Sequence, residues 1–208
     1  MNELIYFLRT RKKANLTIVV VNIAVYITLS LIGDPADADF MFHHGACYPP
    51  AVISGEYYRL FTSMFLHFSF YHIAYNMLSL IFMGDILERL LGMVPYLIIY
   101  AGGGLCGNIL SLAVSIKKGN YAVSAGASGA IFAVIGALLY IALVNRKSFG
   151  ERNMKKLLLV VVLMIMQGMV DKGVDGYAHL GGLIGGFILA VLLYHKKAKR
   201  RVNHYEGL

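Results

Sequence analysis

Long uncharged stretches alternate with short clusters of charge along this chain. Among the stretches between its Lys, Arg, Asp and Glu residues are six predominantly apolar windows, 14–33, 60–84, 90–116, 119–145, 157–170 and 176–195. Five of them run from 20 to 27 residues, against about 20 for a helix that crosses the hydrocarbon core of a bilayer. The fifth has only 14; it is still read as a crossing, because without it the last helix and its flanking charges would be inverted. The predicted fold is an all-α membrane protein, a polytopic bundle of six transmembrane helices forming one domain over residues 1–208.

The charges between the windows orient the bundle. With the amino terminus inside, the cytoplasmic segments hold fifteen Lys and Arg and the outer ones four, namely Arg59, Lys117, Lys118 and Lys172. Because basic short loops stay on the cytoplasmic side, both termini are expected there, residues 1–13 and 196–208 forming basic ends. Composition agrees: 58% of residues are hydrophobic, 14% are charged and the mean hydropathy is +0.66, outside the range of a soluble domain. The net charge of +8 is accounted for by basic ends beside anionic lipid. No soluble basic domain is left over for a nucleic-acid partner. The expected location is a plasma (inner) membrane, crossed several times.

Two other segments bear on this picture. Arg9 to Lys13 precede an apolar stretch as in a signal peptide, but no small-residue cleavage site stands before Gly33, so a retained first helix is expected. The first outer loop, 34–59, is much the longest and carries Pro35, Pro49, Pro50, Phe40, Phe42, Tyr48, Tyr57 and Tyr58. It is too aromatic for a solvated tether and is expected to fold on itself at the membrane interface, as an anchor or as a substrate gate. Cys47 and Cys106 form neither a disulfide framework nor a metal spacing.

Polar residues inside the windows supply the candidate chemistry, since each is expensive at membrane depth without a partner. His72 and Asn76 are four apart and project from one face of the second helix. His67 and the His43–His44 pair suggest a metal cluster, yet no two histidines stand three or four apart, so no metal is expected. The run Ser124-Ala125-Gly126-Ala127-Ser128-Gly129-Ala130 reads on its own as close helix packing through small residues. Position changes that reading. The second, fourth and sixth helices all begin at the outer side, so His72, Ser128 and His179 share one depth. Serine with histidine makes a nucleophile and its general base. Gly182 and Gly186 follow His179 by three and seven residues on the same face, and Gly129 and Gly136 lie near Ser128. Helices meeting through such glycines come to backbone distance, bringing Ser128 and His179 within hydrogen-bond reach.

These residues resemble the rhomboid intramembrane serine proteases. The resemblance runs from Glu56 to about Tyr194 and rests on Glu56-Tyr57-Tyr58-Arg59-Leu60-Phe61-Thr62, His67 with His72 and Asn76, Gly84 and Glu88 with Gly92, Gly126-Ala127-Ser128-Gly129, and Ala178-His179 with Gly182 and Gly186. It implies a Ser128–His179 dyad that forms an acyl-enzyme, with no aspartate required. His72, Asn76 and the Ser128 backbone N–H look like the oxyanion hole, and no cofactor is implied. Substrates, by the same resemblance, are single-span membrane proteins cut near the outer end of their helix, where helix-weakening residues let a carbonyl be exposed. Two departures stand out. Tyr58-Arg59 occupies the place of a Trp-Arg pair frequent in relatives, leaving Arg59 as the expected anchor of the loop. Phe132 replaces a tyrosine that packs under the histidine in many relatives; its ring can stack but offers no hydroxyl. The shape expected is the minimal six-helix form.

Other functions are weaker matches. A catalytically weak rhomboid-like binder or chaperone is the alternative, although such relatives typically lack the Ser or His. A transporter finds no inverted repeat of broken helices, and other intramembrane proteases find neither His-Glu-x-x-His nor paired intramembrane aspartates.

Overall fold

A computed structural model of the chain describes residues 12–145 and 175–194, together with 154, 155, 157, 159 and 160. The described residues are helical throughout, apart from short connections and one isolated bridge. Helix α1 covers Lys13–Ile32, followed by the short α2 (Ala38–His43), α3 (Pro49–Ile53) and α4 (Arg59–Thr62). Then come α5 (Phe70–Leu91), α6 (Met93–Lys118), α7 (Ser128–Val144) and α8 (Gly176–Leu193). By length and composition α1, α5, α6 and α8 suffice to cross a membrane, and α7 is a shorter apolar helix of 17 residues. The protein is a multi-pass helical membrane protein. The fifth window, 157–170, lies almost wholly outside the described residues, as do residues 1–11 and 195–208.

Glycine decides how the last three described helices meet. A methyl group built on Gly182 would strike the Gly129 carbonyl, and one on Gly186 the Ala133 carbonyl. Contacts that advance together along both chains mean α7 and α8 run parallel. Gly107 faces Ala178 and Gly182, while Gly103 faces Ala133 and Gly186, so α6 lies antiparallel to both. Bare backbone on three sides lets the helices approach more closely than side chains allow, which is how apolar helices associate where lipid tails compete for every apolar contact. Helix α7 is the centre of this packing, with Ala130, Ile131, Val134, Leu138 and Ile141 fully enclosed.

Two elements differ from the windows. Helix α5 starts ten residues later than its window and runs past Asp85, Glu88 and Arg89. Those acids are buried because they serve α1: the Glu88 carboxylate accepts the Ala14 and Asn15 N–H groups at 3.3 and 2.8 Å, and Asp85 accepts that of Lys12 at 2.9 Å. Negative charge at a helix start satisfies orphan donors and complements the dipole. Within α5, residues Leu80–Gly84 form a π-turn. Asn15 donates to the Leu80 carbonyl at 2.9 Å and accepts from Tyr96 at 2.7 Å, filling the space left by Gly84.

The fourth window, 119–145, is helical only from Ser128; residues 120–127 are irregular apart from the bridge at Ser124 and a turn at Ala127. Gly126, at φ +137°, breaks the helix in a conformation that favours glycine. Irregular backbone at membrane depth persists only where its polar groups are satisfied by protein or by water. Here the Ser124 N–H reaches the Cys47 carbonyl at 2.8 Å, the Gly126 N–H the Ser63 carbonyl at 2.9 Å, and the Ala127 N–H approaches His67 Nε2 at 3.5 Å.

Candidate active site

Helix α7 opens on Ser128 and α8 carries His179 in its first turn. Because Gly129 and Gly182 bring the two helix starts to backbone contact, His179 Nε2 lies 2.8 Å from Ser128 Oγ. Both side chains are half-buried. Phe132, one turn into α7, stacks under the imidazole with ring centroids 4.2 Å apart and planes 18° from parallel. The hydroxyl, its neighbouring nitrogen and the supporting ring therefore come from two helices whose positions are set by glycine.

His72 meets the same turn from α5. A methyl group built on Gly126 would sit 2.7 Å from His72 Nε2, so this glycine admits the ring as well as the unusual φ. Asn76, one turn further along α5, is fully buried, and its amide makes no hydrogen bond among the described residues. An unsatisfied amide in a dry interior costs about 1–3 kcal/mol.

His67 is not on the α5 face with His72, in line with their spacing of five. It sits before the helix, fully buried, its ring 5.0 Å from that of His72 and its Nε2 facing the Ala127 N–H. Among the described residues no three His, Cys, Asp or Glu side chains come together in a way that would hold a metal ion. Cys47 is also poorly suited to nucleophilic work, since burial pushes its thiol up to about 11 and the thiolate is the reactive form.

The segment 34–59 folds on itself around Arg59. The guanidinium is buried, donating from Nη1 to the carbonyls of Phe42 and Ala46 at 2.6 and 3.0 Å and from Nε to Glu56 at 2.7 Å. It also lies 4.2 Å over the Phe42 ring. The Tyr58 hydroxyl and then Arg59 hold the Glu56 carboxyl below its usual range. Cys47 pairs with Ser124 through reciprocal hydrogen bonds, so the loop is tied to the segment that leads into Ser128.

Three residues around the site were not singled out in the sequence. Asp175 caps α8, accepting the Tyr177 and Ala178 N–H groups, and it receives the hydroxyl of Ser111 on α6. Asn108 on α6 donates to the Leu60 carbonyl and to Ser63 Oγ at 2.6 and 3.1 Å. A signal for Asp175 is visible in retrospect: an aspartate immediately before a long apolar helix is a preferred N-cap. Ser111 and Asn108 carry no comparable signal within an apolar window.

A family profile described as Rhomboid domain matches residues 54–196. The chain is 35% identical over 180 residues to a Bacillus subtilis protein named Rhomboid protease GluP, covering 86% of this chain and 34% of that protein. It is 34% identical over 153 residues to another from the same organism named Putative rhomboid protease YdcA, covering 74% of this chain and 75% of that one. A Toxoplasma gondii protein named Rhomboid-like protease 1 is 32% identical over 164 residues, 77% of this chain and 55% of that protein. The chain thus spans about a third of the length of the first of these relatives and three quarters of the second.

Proposed function

The chain belongs to the rhomboid family, and from that premise we propose that it is an intramembrane serine endopeptidase working through a Ser128–His179 dyad. One observation carries the reading: the 2.8 Å contact between His179 Nε2 and Ser128 Oγ at the openings of two apolar helices. In this mechanism Ser128 Oγ attacks the scissile carbonyl while His179 Nε2 takes its proton. The tetrahedral oxyanion is met by the Asn76 amide, by His72 and by the Ser128 N–H, which as a first-turn donor has no intrahelical partner. Collapse returns the proton from His179 to the leaving amine. Water, deprotonated by the same nitrogen, then releases the acyl group.

The proposed substrates are single-span membrane proteins cut near the outer face of the bilayer, and the proposed setting is a plasma (inner) membrane with both termini cytoplasmic and six crossings in all. A helical substrate keeps its carbonyls in intrahelical hydrogen bonds, so it must unwind before attack. Purified protein in liposomes should therefore cleave a span containing Gly or Pro near its outer end well ahead of a rigid polyleucine span. Equal rates for the two would overturn the reading.

The role given to Asn76 has its own test. Asn76→Ala is expected to lower kcat by about 10²- to 10³-fold, the usual effect of removing one oxyanion donor, while fluorophosphonate still labels Ser128. Retention of full kcat would remove Asn76 from the oxyanion hole.

A further inference from the structure

We propose that Ser111 on α6 and Asp175 at the head of α8 are positioning residues that keep His179 in register with Ser128. The proposal rests on the reading of that pair as base and nucleophile. Glycine contacts bring α6, α7 and α8 together, but a smooth backbone face opposes sliding and rotation only weakly, because it has no side chains to interlock. Something else must fix where along its axis α8 begins. His179 lies in the first turn, the part of a helix that frays most readily.

Asp175 supplies that constraint from both carboxylate oxygens. Oδ1 accepts the Tyr177 and Ala178 N–H groups at 3.1 and 3.0 Å, while Oδ2 accepts the Ser111 hydroxyl. The Asp175 carbonyl in turn accepts the N–H of His179 at 3.1 Å. The first turn of α8 is thereby closed on itself and pinned to α6.

The same face of α6 holds the other half of the pair. Asn108, three residues before Ser111, donates to Ser63 Oγ at 3.1 Å, and the Ser63 carbonyl takes the Gly126 N–H at 2.9 Å, two residues before Ser128. Helix α6 is thus a common reference for the nucleophile's turn and for the base's turn. The carboxylate acts through backbone and hydroxyl contacts, with no direct part in proton transfer.

The test uses the full chain in proteoliposomes, measuring the rate of fluorophosphonate labelling, the kcat and KM for a single-span reporter, and the thermal midpoint. Ser111→Ala is expected to lower both the labelling rate and kcat roughly tenfold, the weight of a hydrogen bond to a charged group, with KM within twofold. Ser111→Thr, which keeps the hydroxyl, should restore both. Asp175→Ala should fall further, and Asp175→Asn, whose amide oxygen still caps the helix, should retain more activity than Asp175→Ala. Labelling of Ser111→Ala at the parent rate would overturn the proposal, as would a loss carried by KM or one that Ser111→Thr fails to rescue. Should Asp175→Ala not fold, the Ser111 pair alone decides. A parent protein that takes no label would instead defeat the assignment of Ser128, so the two failures are distinct.

Discussion

Ser128→Ala is expected to abolish cleavage of every membrane-protein substrate, with a fall in kcat on the order of 10⁴-fold or more, and to eliminate fluorophosphonate labelling. The expectation follows from geometry and from covalent chemistry together. The Ser128 hydroxyl oxygen, at the start of α7, stands 2.8 Å from His179 Nε2, and a methyl group there can form no acyl-enzyme. His179→Ala should lose nearly as much, since an isolated serine hydroxyl is a weak nucleophile at neutral pH. The double variant should be scarcely worse than either single one, because groups acting as a unit are not additive. Folding should survive both changes, as neither side chain is a core residue. Labelling that persists in Ser128→Ala would show that another group is the nucleophile and would overturn the mechanism.

Gly182→Val is expected to eliminate activity just as completely while leaving the Ser128 and His179 side chains chemically intact. A side chain at this position meets the Gly129 carbonyl, one residue after Ser128. Backbone cannot swing aside as a flexible side chain does, so α7 and α8 must separate. Overpacking of this kind costs about 1–3 kcal/mol in stability, and separation by even an ångström takes His179 out of hydrogen-bond range. Gly182→Ala should be intermediate. Ile184→Phe makes the comparison specific: Ile184 is on the same helix but 49% exposed on its outer side, so added bulk there should leave kcat within about twofold on the scale of ordinary surface changes. The measurements are kcat, labelling rate and thermal midpoint in parallel. A fully active Gly182→Val protein would mean that close approach of these helices is not what joins the pair.

Much of this arrangement was legible in the sequence, and the reason is that lipid is a demanding solvent. It forces apolar segments into helices and makes each intramembrane polar residue conspicuous, so Ser128, His179, His72 and Asn76 stood out against their windows. The glycines at 129, 182 and 186 were legible as a packing face through their spacing alone. Less legible was the third helix in the same contact. Gly103 and Gly107 of α6 lie against α7 and α8, but a glycine-rich stretch does not name its partner. By charge-free length Asp85 closes a window, whereas Asp85 and Glu88 continue α5 and cap α1. Charge-free length is a poor guide to helix ends where carboxylates are buried by capping a neighbour.

The segment 34–59 divides in the same way. Its aromatic and proline content implied a folded segment rather than a tether. Arg59 was the expected anchor from the family resemblance, but which groups it holds, the Phe42 and Ala46 carbonyls, depended on pairings across the loop. The tie between Cys47 and Ser124 spans still more of the chain, and no local pattern announces it.

By itself, then, the sequence determined which segments are apolar enough to become helices and which polar residues those helices carry. Hydropathy, charge and helical periodicity act residue by residue, over a turn or two, and are readable in order. Only the tertiary structure decided that α6 packs against both α7 and α8, which backbone atoms meet there, and that the contact between Ser128 and His179, 51 residues apart, closes to 2.8 Å. Those outcomes depend on backbone surfaces that glycine exposes from distant parts of the chain, and on half-buried donors such as the Ser111 hydroxyl finding acceptors on other helices.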